Sequence, residues 1–252
     1  MASDQNKAYF NDQAASYDSK HEKTIEHIIE EIRSRLDFIG VDWVDDDDDD
    51  ASDGDAGGAD EKTPRKTVRL LDYACGTGLV SRALAPHTTQ CIGIDLAENM
   101  VAAYNSRAKN QGLTPEEMHA YQGNLCSPSD PSPSHLSGRE FWGFDIAAVG
   151  LGFHHFDDPA LAARRLVERL RVGGVLLVLD FLPHEKMETS EPAAHTITRH
   201  GFSEDEIRKI FEDAGAAENF GLEDVAVVFN RGREGKPDMK RRLFIARGTK
   251  SA

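Results

Sequence analysis

Between residues 67 and 183, short apolar segments alternate with longer segments that have the composition of amphipathic helices. The apolar segments have the sequences TVRLLDY, QCIGID, MHAYQGNL, FDIAAVGL and VLLVLDFL. Strands separated by helices of roughly 10–15 residues form βαβ units, which build a parallel sheet. The near-continuous apolar character of VLLVLDFL is typical of a strand that is covered on both faces. The pattern therefore predicts an α/β fold with helices on both sides of the sheet.

The end of the chain departs from this alternation. A helix is predicted over SEDEIRKIFEDAGA, because Ser203 can cap its first turn and Gly215 can end it. Two further strand candidates, EDVAVVFN and RRLFIARG, are joined by the ten residues RGREGKPDMK. A connection of this length favours an antiparallel hairpin over a helical crossover. We therefore expect a Rossmann-like, seven-stranded, mostly parallel sheet with an antiparallel C-terminal hairpin.

The N-terminal part predicts a helical cap over residues 1–41. One apolar stripe recurs at spacings of three and four between residues 19 and 39, formed by Ile25, Ile28, Ile29, Ile32, Leu36 and Ile39. This spacing places all six side chains on one face of a helix. Such a helix buries its apolar face against the rest of the chain.

The formal net charge of −15 is concentrated in one segment. Residues 42–61 contain eleven acidic side chains and no Lys or Arg, and the remaining 29 basic against 33 acidic side chains carry a net charge of −4. A segment of this composition buries too little apolar surface to offset the entropy cost of ordering it. Residues 42–66 are therefore expected to form a disordered loop, and residues 67–252 the main part of a single-domain protein.

Several classes of protein are excluded by composition. No run approaches the ~18 apolar residues of a membrane span, and the N-terminus has no apolar stretch typical of a secretory signal. The three cysteines lie far apart, which argues against a disulfide framework or a metal site. Without a basic stripe, nucleic acid is not expected as the main partner. We expect a cytoplasmic protein, and its oligomeric state stays open.

The sequence LLDYACGTG runs from the first strand into a helix, and CIGID ends the second strand with Asp95. Glycines let the backbone approach a ligand closely, and a following helix presents free N–H groups. An acid at the end of the second strand can accept hydrogen bonds from both hydroxyls of a ribose. Asp95 follows Gly76 by 19 residues, close to the spacing of roughly 20 in nucleotide-binding sheets. The third glycine of the dinucleotide motif is missing, which disfavours NAD and FAD.

These motifs resemble those of class I S-adenosylmethionine-dependent methyltransferases. Within that class, the chain is most similar to the UbiE/COQ5-like (methyltransferase type 11) group. The resemblance rests on LLDYACGTG, Asp95, FDIAAVGLGFHHF and RLRVGGVLLVLDF, which cover residues 67–183. Weaker matches extend to YFNDQAASYD, HGFSEDEIRKIFEDAG and RRLFIARGTK. The resemblance implies that residues 67–252 bind S-adenosyl-L-methionine and release S-adenosyl-L-homocysteine.

The resemblance also implies roles for individual residues. The methionine end of the cofactor would contact Asp72, Gly76, Thr77 and Gly78, and Asp95 would bind the ribose. The adenine would lie between Leu96 and Met100 and would meet Asn124 and Leu125. Asn124 replaces the usual Asp, but its side-chain oxygen can still accept from the adenine amino group. Gly150 would lie beneath the reacting methyl group, and Tyr17 belongs to a segment that folds over the site.

Structural roles compete with some of these assignments. Asp72 could instead cap the helix that follows it. Met100 could be a core residue, and Tyr17, with the neighbouring Tyr9 and Phe10, could serve only to pack the cap.

Two histidines are candidates for a catalytic base. His154 leaves the fourth strand at the edge of the sheet where ligands bind in such folds, and His200 lies in the polar segment after the fifth strand. Histidine titrates near neutral pH and can therefore remove a proton from an acceptor. Alternatively, the pair His154 and His155 could be a structural hydrogen-bonding element.

The acceptor is inferred by exclusion. The (D/N)PPY tetrapeptide of enzymes that methylate base amines is absent. A small-molecule acceptor remains, aromatic or quinone-like, with methylation at O, C, N or S. Two alternatives stay open. The chain could be a protein methyltransferase whose acidic loop recruits a basic partner, or a non-catalytic cofactor-binding interaction protein.

Overall fold

The computed structural model describes residues 2–44, 66–127, 129–130, 132–186, 193–229 and 239–252. Most of the predicted acidic loop, from residue 45 to residue 65, lies outside the described residues. So does most of the connection between the last two strands, residues 230–238. The division into a cap, an acidic loop and a main domain therefore stays a prediction.

The described residues form a seven-stranded sheet in the order β3-β2-β1-β4-β5-β7-β6. Its strands are β1 (Arg69–Tyr73), β2 (Gln90–Asp95), β3 (Met118–Gln122), β4 (Phe144–Gly150), β5 (Leu170–Phe181), β6 (Glu218–Phe229) and β7 (Met239–Thr249). The first five strands pair in parallel, whereas β7 is antiparallel to both β5 and β6. The predicted fold, including the C-terminal hairpin, is confirmed.

Helices cover both faces of this sheet. They are α1 (Ala2–Gln13), α2 (Tyr17–Arg33), α3 (Leu36–Ile39), α4 (Leu79–Leu84), α5 (Glu98–Asn110), α6 (Pro159–Arg169) and α7 (Glu204–Ala214). In α7, Ser203 and Glu206 form a reciprocal capping box, and Gly215 ends the helix in the left-handed conformation, as the sequence predicts. Among the described helices, none combines the length and apolar composition that a membrane-spanning segment requires.

The predicted helix over residues 19–39 is interrupted. It appears as α2 and the short α3, separated by a turn at Ser34 and Arg35. The predicted stripe is nevertheless buried, at Ile25, Ile28, Ile29, Ile32 and Ile39. Helix α1 falls within the predicted helical cap, although its polar sequence has no apolar stripe of helical period.

Alternate strand residues build two separate cores, one on each face of the sheet. Leu70 and Leu177 face a core that also contains residues of α2, α4 and α5. Leu71 and Val178 face the other core, which contains residues of α6 and α7. Side chains of neighbouring strand residues point to opposite faces, so every central strand must be apolar on both sides.

The strand order reverses next to β1. The chain moves from β1 to β2 and β3 on one side, and continues with β4 and β5 on the other. The loops after β1 and β4 therefore diverge and leave a crevice at the carboxyl ends of these strands, which is where open α/β sheets bind ligands.

Candidate active site

A cavity of about 510 Å³ lies at the carboxyl ends of β1, β2 and β4. The strand ends contribute Gly76, Asp95 and Gly150 to its wall. Helices α1 and α2 contribute another part of the wall, and the segments that follow β4 and β5 contribute a third. Cavities of roughly 300–1,000 Å³ are typical of small-molecule sites.

Asp95 joins the loop after β1 to the loop after β2. Its Oδ2 accepts the N–H of Gly76 at 2.8 Å, and its Oδ1 accepts the N–H of Ala97 at 2.8 Å. Each carboxylate oxygen has a second lone pair, and Asp95 lines the cavity. Asp95 can therefore accept two further hydrogen bonds from hydroxyl groups in the cavity. Burial raises the pKa of this carboxyl group, while the N–H groups of Ala97 and Gly76 act in the opposite direction.

Asp72 caps helix α4 beneath the glycine turn. Its side chain is 1% exposed, and its Oδ2 accepts the N–H of Ser81 at 2.9 Å and the hydroxyl of Ser81 at 2.7 Å. Of the two roles considered for Asp72, the structure shows the capping one. Asp72 is not among the described residues that line the cavity. Ser81 engages Oδ2 of this carboxyl group, and contact between Asp72 and the methionine end of a cofactor stays a prediction.

Gly78 also lies outside the described wall of the cavity. Its φ of +95° is a left-handed conformation, and a Cβ atom here would lie 3.0 Å from the ring of Tyr104. The residue is needed to turn the chain into α4. Gly150 does line the cavity, and a Cβ atom on it would lie 2.6 Å from Cγ2 of Val80. Only glycine fits at this position.

Four predicted adenine contacts lie in two different environments. Leu96, Met100 and Asn124 line the cavity, whereas Leu125 is 1% exposed and is not among the lining residues. Met100 is also part of a small buried cluster. It can thus serve both of the roles considered for it.

The Asn124 oxygen already has a partner within the chain. Its Oδ1 accepts the N–H of Cys126 at 2.8 Å. The hydroxyl of Tyr73 lies 3.2 Å from this oxygen and 3.3 Å from Sγ of Cys126, and its single proton can be donated to only one of them at a time. The contact between Asn124 and the adenine amino group stays a prediction.

The N-terminal helices are joined to the sheet next to the glycine turn. Thr77 lines the cavity and donates its hydroxyl proton to Asp18 at 2.6 Å, and Asp18 also pairs with Arg107 of α5. Tyr17 lines the cavity as well, and burial raises the pKa of its phenol to about 12. The phenol therefore stays protonated at neutral pH and can donate a hydrogen bond.

His154 and Asp180 form a buried pair at the edge of the cavity. His154 lines the cavity and is 6% exposed, and Asp180 is fully buried at the end of β5. The Nδ1 of His154 donates to Oδ1 of Asp180 at 2.8 Å, and the backbone N–H of His154 donates to Oδ2 at 3.1 Å. The bond fixes the tautomer that carries its proton on Nδ1, and in this tautomer Nε2 is an acceptor. This arrangement holds a histidine in the orientation that a general base requires.

His155, the neighbour of His154, and the second candidate base, His200, differ in position. His155 lines the cavity, and its Nδ1 donates to the carbonyl of Thr196 at 2.8 Å. Burial lowers the pKa of His155 to about 3, so its ring is neutral. His200 is not among the described lining residues, and its ring lies 5.8 Å from that of His184, which does line the cavity. We therefore do not assign a catalytic role to His200.

Three features of the site were missed at the level of sequence. Asp180 could have been found, because it ends the apolar strand next to the one that His154 follows. The link between Asp18 and Thr77 and the position of Asn6 in the cavity had no sequence signal, since residues 59 and 149 positions apart in the chain make these contacts. Among the described residues, no three His, Cys, Asp or Glu side chains are grouped closely enough to hold a metal ion.

The reversed last strand of the sheet, the glycine turn and Asp95 at the switch point define the class I S-adenosylmethionine-dependent methyltransferase fold. The methyltransferase domain family matches residues 25–217, which is most of the chain. The chain belongs to this family.

Individual relatives agree with this assignment. An uncharacterized methyltransferase of Schizosaccharomyces pombe is 28% identical over 169 residues, which cover 65% of this chain and 58% of the relative. Demethylmenaquinone methyltransferase of Thermus thermophilus is 32% identical over 129 residues, covering 50% of this chain and 51% of the relative. The chain thus spans little more than half the length of these curated relatives.

A solved structure has the same fold over almost the whole chain. It is a chain of the Haloferax volcanii complex that contains the Trm112 methyltransferase activator. The TM-score is 0.63 with 16% sequence identity, and the match covers 96% of this chain and 98% of the other. At this identity, the similarity concerns the fold alone.

The buried carboxyl group of Asp72 predicts a pH dependence of stability. Burial raises its pKa from 3.8 to about 7. Between these values the unfolded chain has lost a proton that the folded chain retains, so wild-type stability falls as the pH rises through this window. Asp72→Asn keeps an acceptor for Ser81 but does not titrate. Relative to wild type, its free energy of unfolding should therefore increase from pH 4 to pH 7, by up to about 4 kcal/mol at about 1.4 kcal/mol per pKa unit.

Urea denaturation of both proteins at several pH values measures this difference. Asp37→Asn is the matched control, because Asp37 is exposed on α3 and its replacement should produce no such trend. A stability difference between Asp72→Asn and wild type that stays constant over the window would contradict the prediction.

Proposed function

We propose that the chain transfers a methyl group from S-adenosylmethionine to a small aromatic or quinone-like acceptor, as a member of the UbiE/COQ5-like group. The observation that carries the proposal is the composition of one cavity. Asp95, Gly76 of the glycine turn and His154 lie on its wall together with residues of the N-terminal helices, and Asp180 holds His154 from behind the wall. A ribose-binding carboxylate and a base thus share one enclosed space.

The cofactor would bind along the carboxyl ends of β1 and β2. The free lone pairs of Asp95 accept the two ribose hydroxyls, and Leu96 and Met100 cover the faces of the adenine. Gly150 would line the cavity beneath the reacting centre, and its lack of a side chain leaves room for Val80. The sulfonium of S-adenosylmethionine supplies an activated methyl group for in-line displacement. The protein must align the acceptor, exclude water and accept a proton where the acceptor carries one.

Replacement of Asp95 tests the cofactor half of the proposal. In Asp95→Asn, an amide N–H meets one of the two backbone N–H donors, and one acceptor for ribose is lost. We expect the affinity for S-adenosylhomocysteine, measured by calorimetry, to fall at least about tenfold, equivalent to about 1.4 kcal/mol. Asp157→Asn is the control, because Asp157 is an exposed carboxylate that also lines the cavity. Equal affinities of both variants and wild type would argue against ribose binding by Asp95.

The part of the cavity around His154, where the methyl acceptor would bind, favours a flat, partly polar molecule. Aromatic side chains line it from three elements: Phe10 from α1, Phe156 after β4 and Phe181 at the end of β5. Such rings stack against planar ligands or meet them edge to face. The name of the Thermus thermophilus relative gives a demethylated menaquinone as its substrate. Together, these observations support an aromatic or quinone-like acceptor.

His154 would act as the base for an acceptor that loses a proton. The proton of the acceptor passes to Nε2 of His154, while Nδ1 keeps its own proton in the hydrogen bond to Asp180. Asp180 is a positioning residue, because it fixes the tautomer and stabilises the charged ring. It is itself held by the N–H of Phe181 at 2.7 Å and by the N–H of His154.

His154→Gln should lower kcat by about 10²–10⁴-fold, the usual contribution of a general base. The affinity for S-adenosylhomocysteine should stay unchanged, because the ring contacts the acceptor and not the cofactor. Asp180→Asn should also lower kcat and should shift its pH profile, since the histidine tautomer is no longer fixed. His27→Gln, on the outer part of α2, is the control. Unchanged turnover in His154→Gln would remove the base from the mechanism.

Transfer of labelled methyl groups to a fractionated cell extract tests the function as a whole. We expect label in the small-molecule fraction. Label confined to protein bands would favour the alternative of a protein methyltransferase with a basic partner. Cofactor binding without label in any fraction would favour a non-catalytic interaction protein. If calorimetry detected no binding of S-adenosylmethionine or S-adenosylhomocysteine, the enzyme proposal would be wrong.

A further inference from the structure

Asn6 of helix α1 lies in the wall of the cavity and carries a hydrogen-bond acceptor that has no partner in the described structure. The residue lines the cavity and is only 8% exposed. Its Nδ2 donates to the carbonyl of His155 at 3.0 Å. Its Oδ1 is buried and has no hydrogen-bond partner within the described structure.

The orientation of this amide follows from its partner. The carbonyl of His155 can only accept, so Nδ2 must face it and Oδ1 must point elsewhere. A buried acceptor without a partner is costly, and buried polar groups in folded proteins nearly always have one. The missing partner of Asn6 is therefore expected to be supplied by a molecule that enters the cavity.

The surroundings of Asn6 indicate what this molecule must carry. The Nδ1 atoms of His154 and His155 both donate to protein oxygens, which fixes the tautomer of each ring and leaves Nε2 as its acceptor atom. The two rings are 4.0 Å apart between centroids. Lys7 lines the same cavity, but its ammonium group pairs with Glu98 at 2.9 Å. This end of the cavity thus presents several acceptors, and its ligand must bring the donors.

We propose that Oδ1 of Asn6 accepts a hydrogen bond from an O–H or N–H group of the methyl acceptor, adjacent to the group that is methylated. Asn6 is then a specificity-determining residue that selects acceptors with two neighbouring donors, as in a dihydroxylated ring. The inference rests on the proposed function, because it assumes a small-molecule acceptor in this cavity.

The selectivity has a simple physical origin. One O–H or N–H group of the methyl acceptor donates to the base His154, and the second donates to Oδ1 of Asn6. An analogue without the second donor leaves Oδ1 of Asn6 buried and unpaired after binding, when no water can reach it. A site built around a hydrogen bond rejects such analogues far more strongly than an apolar pocket rejects a missing methylene group.

Calorimetry with two probes on the full chain, saturated with S-adenosylhomocysteine, tests the inference. The probes are 2,3-dihydroxynaphthalene and 2-naphthol, which differ by one hydroxyl group. Wild type should prefer the dihydroxylated probe at least about tenfold, as for one well-formed hydrogen bond in a buried site. In Asn6→Leu, which has nearly the same shape but no acceptor, the preference should fall to about twofold or less.

Asn11→Leu is the matched control on the same helix. Asn11 binds the backbone N–H and the side chain of Asn99, and it does not belong to the described wall of the cavity. This variant weakens the attachment of α1 but should keep the preference between the probes. Asn6→Leu also loses the bond to the carbonyl of His155, which affects both probes alike. The ratio of the two affinities therefore isolates the role of Oδ1.

Three results would overturn the inference. A preference that persists in Asn6→Leu would show that Oδ1 of Asn6 does not contact the second donor, and the proposed function would be unaffected. A loss of affinity for S-adenosylhomocysteine in Asn6→Leu, with the preference intact, would assign Asn6 to the cofactor. If neither probe bound to the wild-type protein saturated with S-adenosylhomocysteine, the proposal of an aromatic acceptor would be wrong. The inference about Asn6 would then be wrong as well.

Discussion

The bond network around Asp95 is the constraint on which the site depends. At the point where the strand order reverses, the loops after β1 and β2 would be free to separate, but the carboxylate of Asp95 accepts an N–H group from each. The glycine turn is thereby held beside the end of β2, and the cavity keeps its width. The carboxylate is tolerated in this half-buried position because backbone N–H donors compensate for lost hydration. Asp95 also lines the cavity.

The N-terminal helices close this cavity by polar contacts with distant parts of the chain. Asp18 binds Thr77 and Arg107, and Lys7 pairs with Glu98. Ion pairs at the surface contribute about 0–1 kcal/mol each to stability. This is much less than the contribution of the apolar side chains of α2 that are buried in the core containing Leu70. The structure thus combines a firmly packed α2 with an α1 that is attached by weaker links. The weaker attachment concerns the proposed acceptor site, because α1 carries Asn6 and the aromatic residues Tyr9 and Phe10 of the cavity wall.

The sequence carries more information about local patterns than about pairings between distant residues. The ends of the predicted strands point to the glycine turn, Asp95 and His154, because the carboxyl ends of parallel strands meet at one edge of the sheet. Gly76, Asp95 and His154 do line the same cavity. The partner of Asp72 could not be chosen in advance, since a cofactor amine and the first turn of α4 both suit a carboxylate. The oxygen of Asn124 accepts the N–H of Cys126, and the hydroxyl of Tyr73, 51 positions away in the chain, lies within hydrogen-bond distance of it. His200 belongs to the polar segment after β5, but it is not among the described residues that line the cavity.

The sequence by itself determined the fold and the edge at which the site lies. Apolar periodicity specifies strands and helices, and their alternation leaves few ways to build a sheet. Only the tertiary structure decided which hydrogen-bonding groups remain free in the cavity. That outcome depends on contacts between residues far apart in the chain, such as Asn6 with His155 and His154 with Asp180. A hydrogen-bond acceptor is free only when no neighbouring donor in the folded chain binds it. The spacing of residues in the sequence does not show which donors become its neighbours.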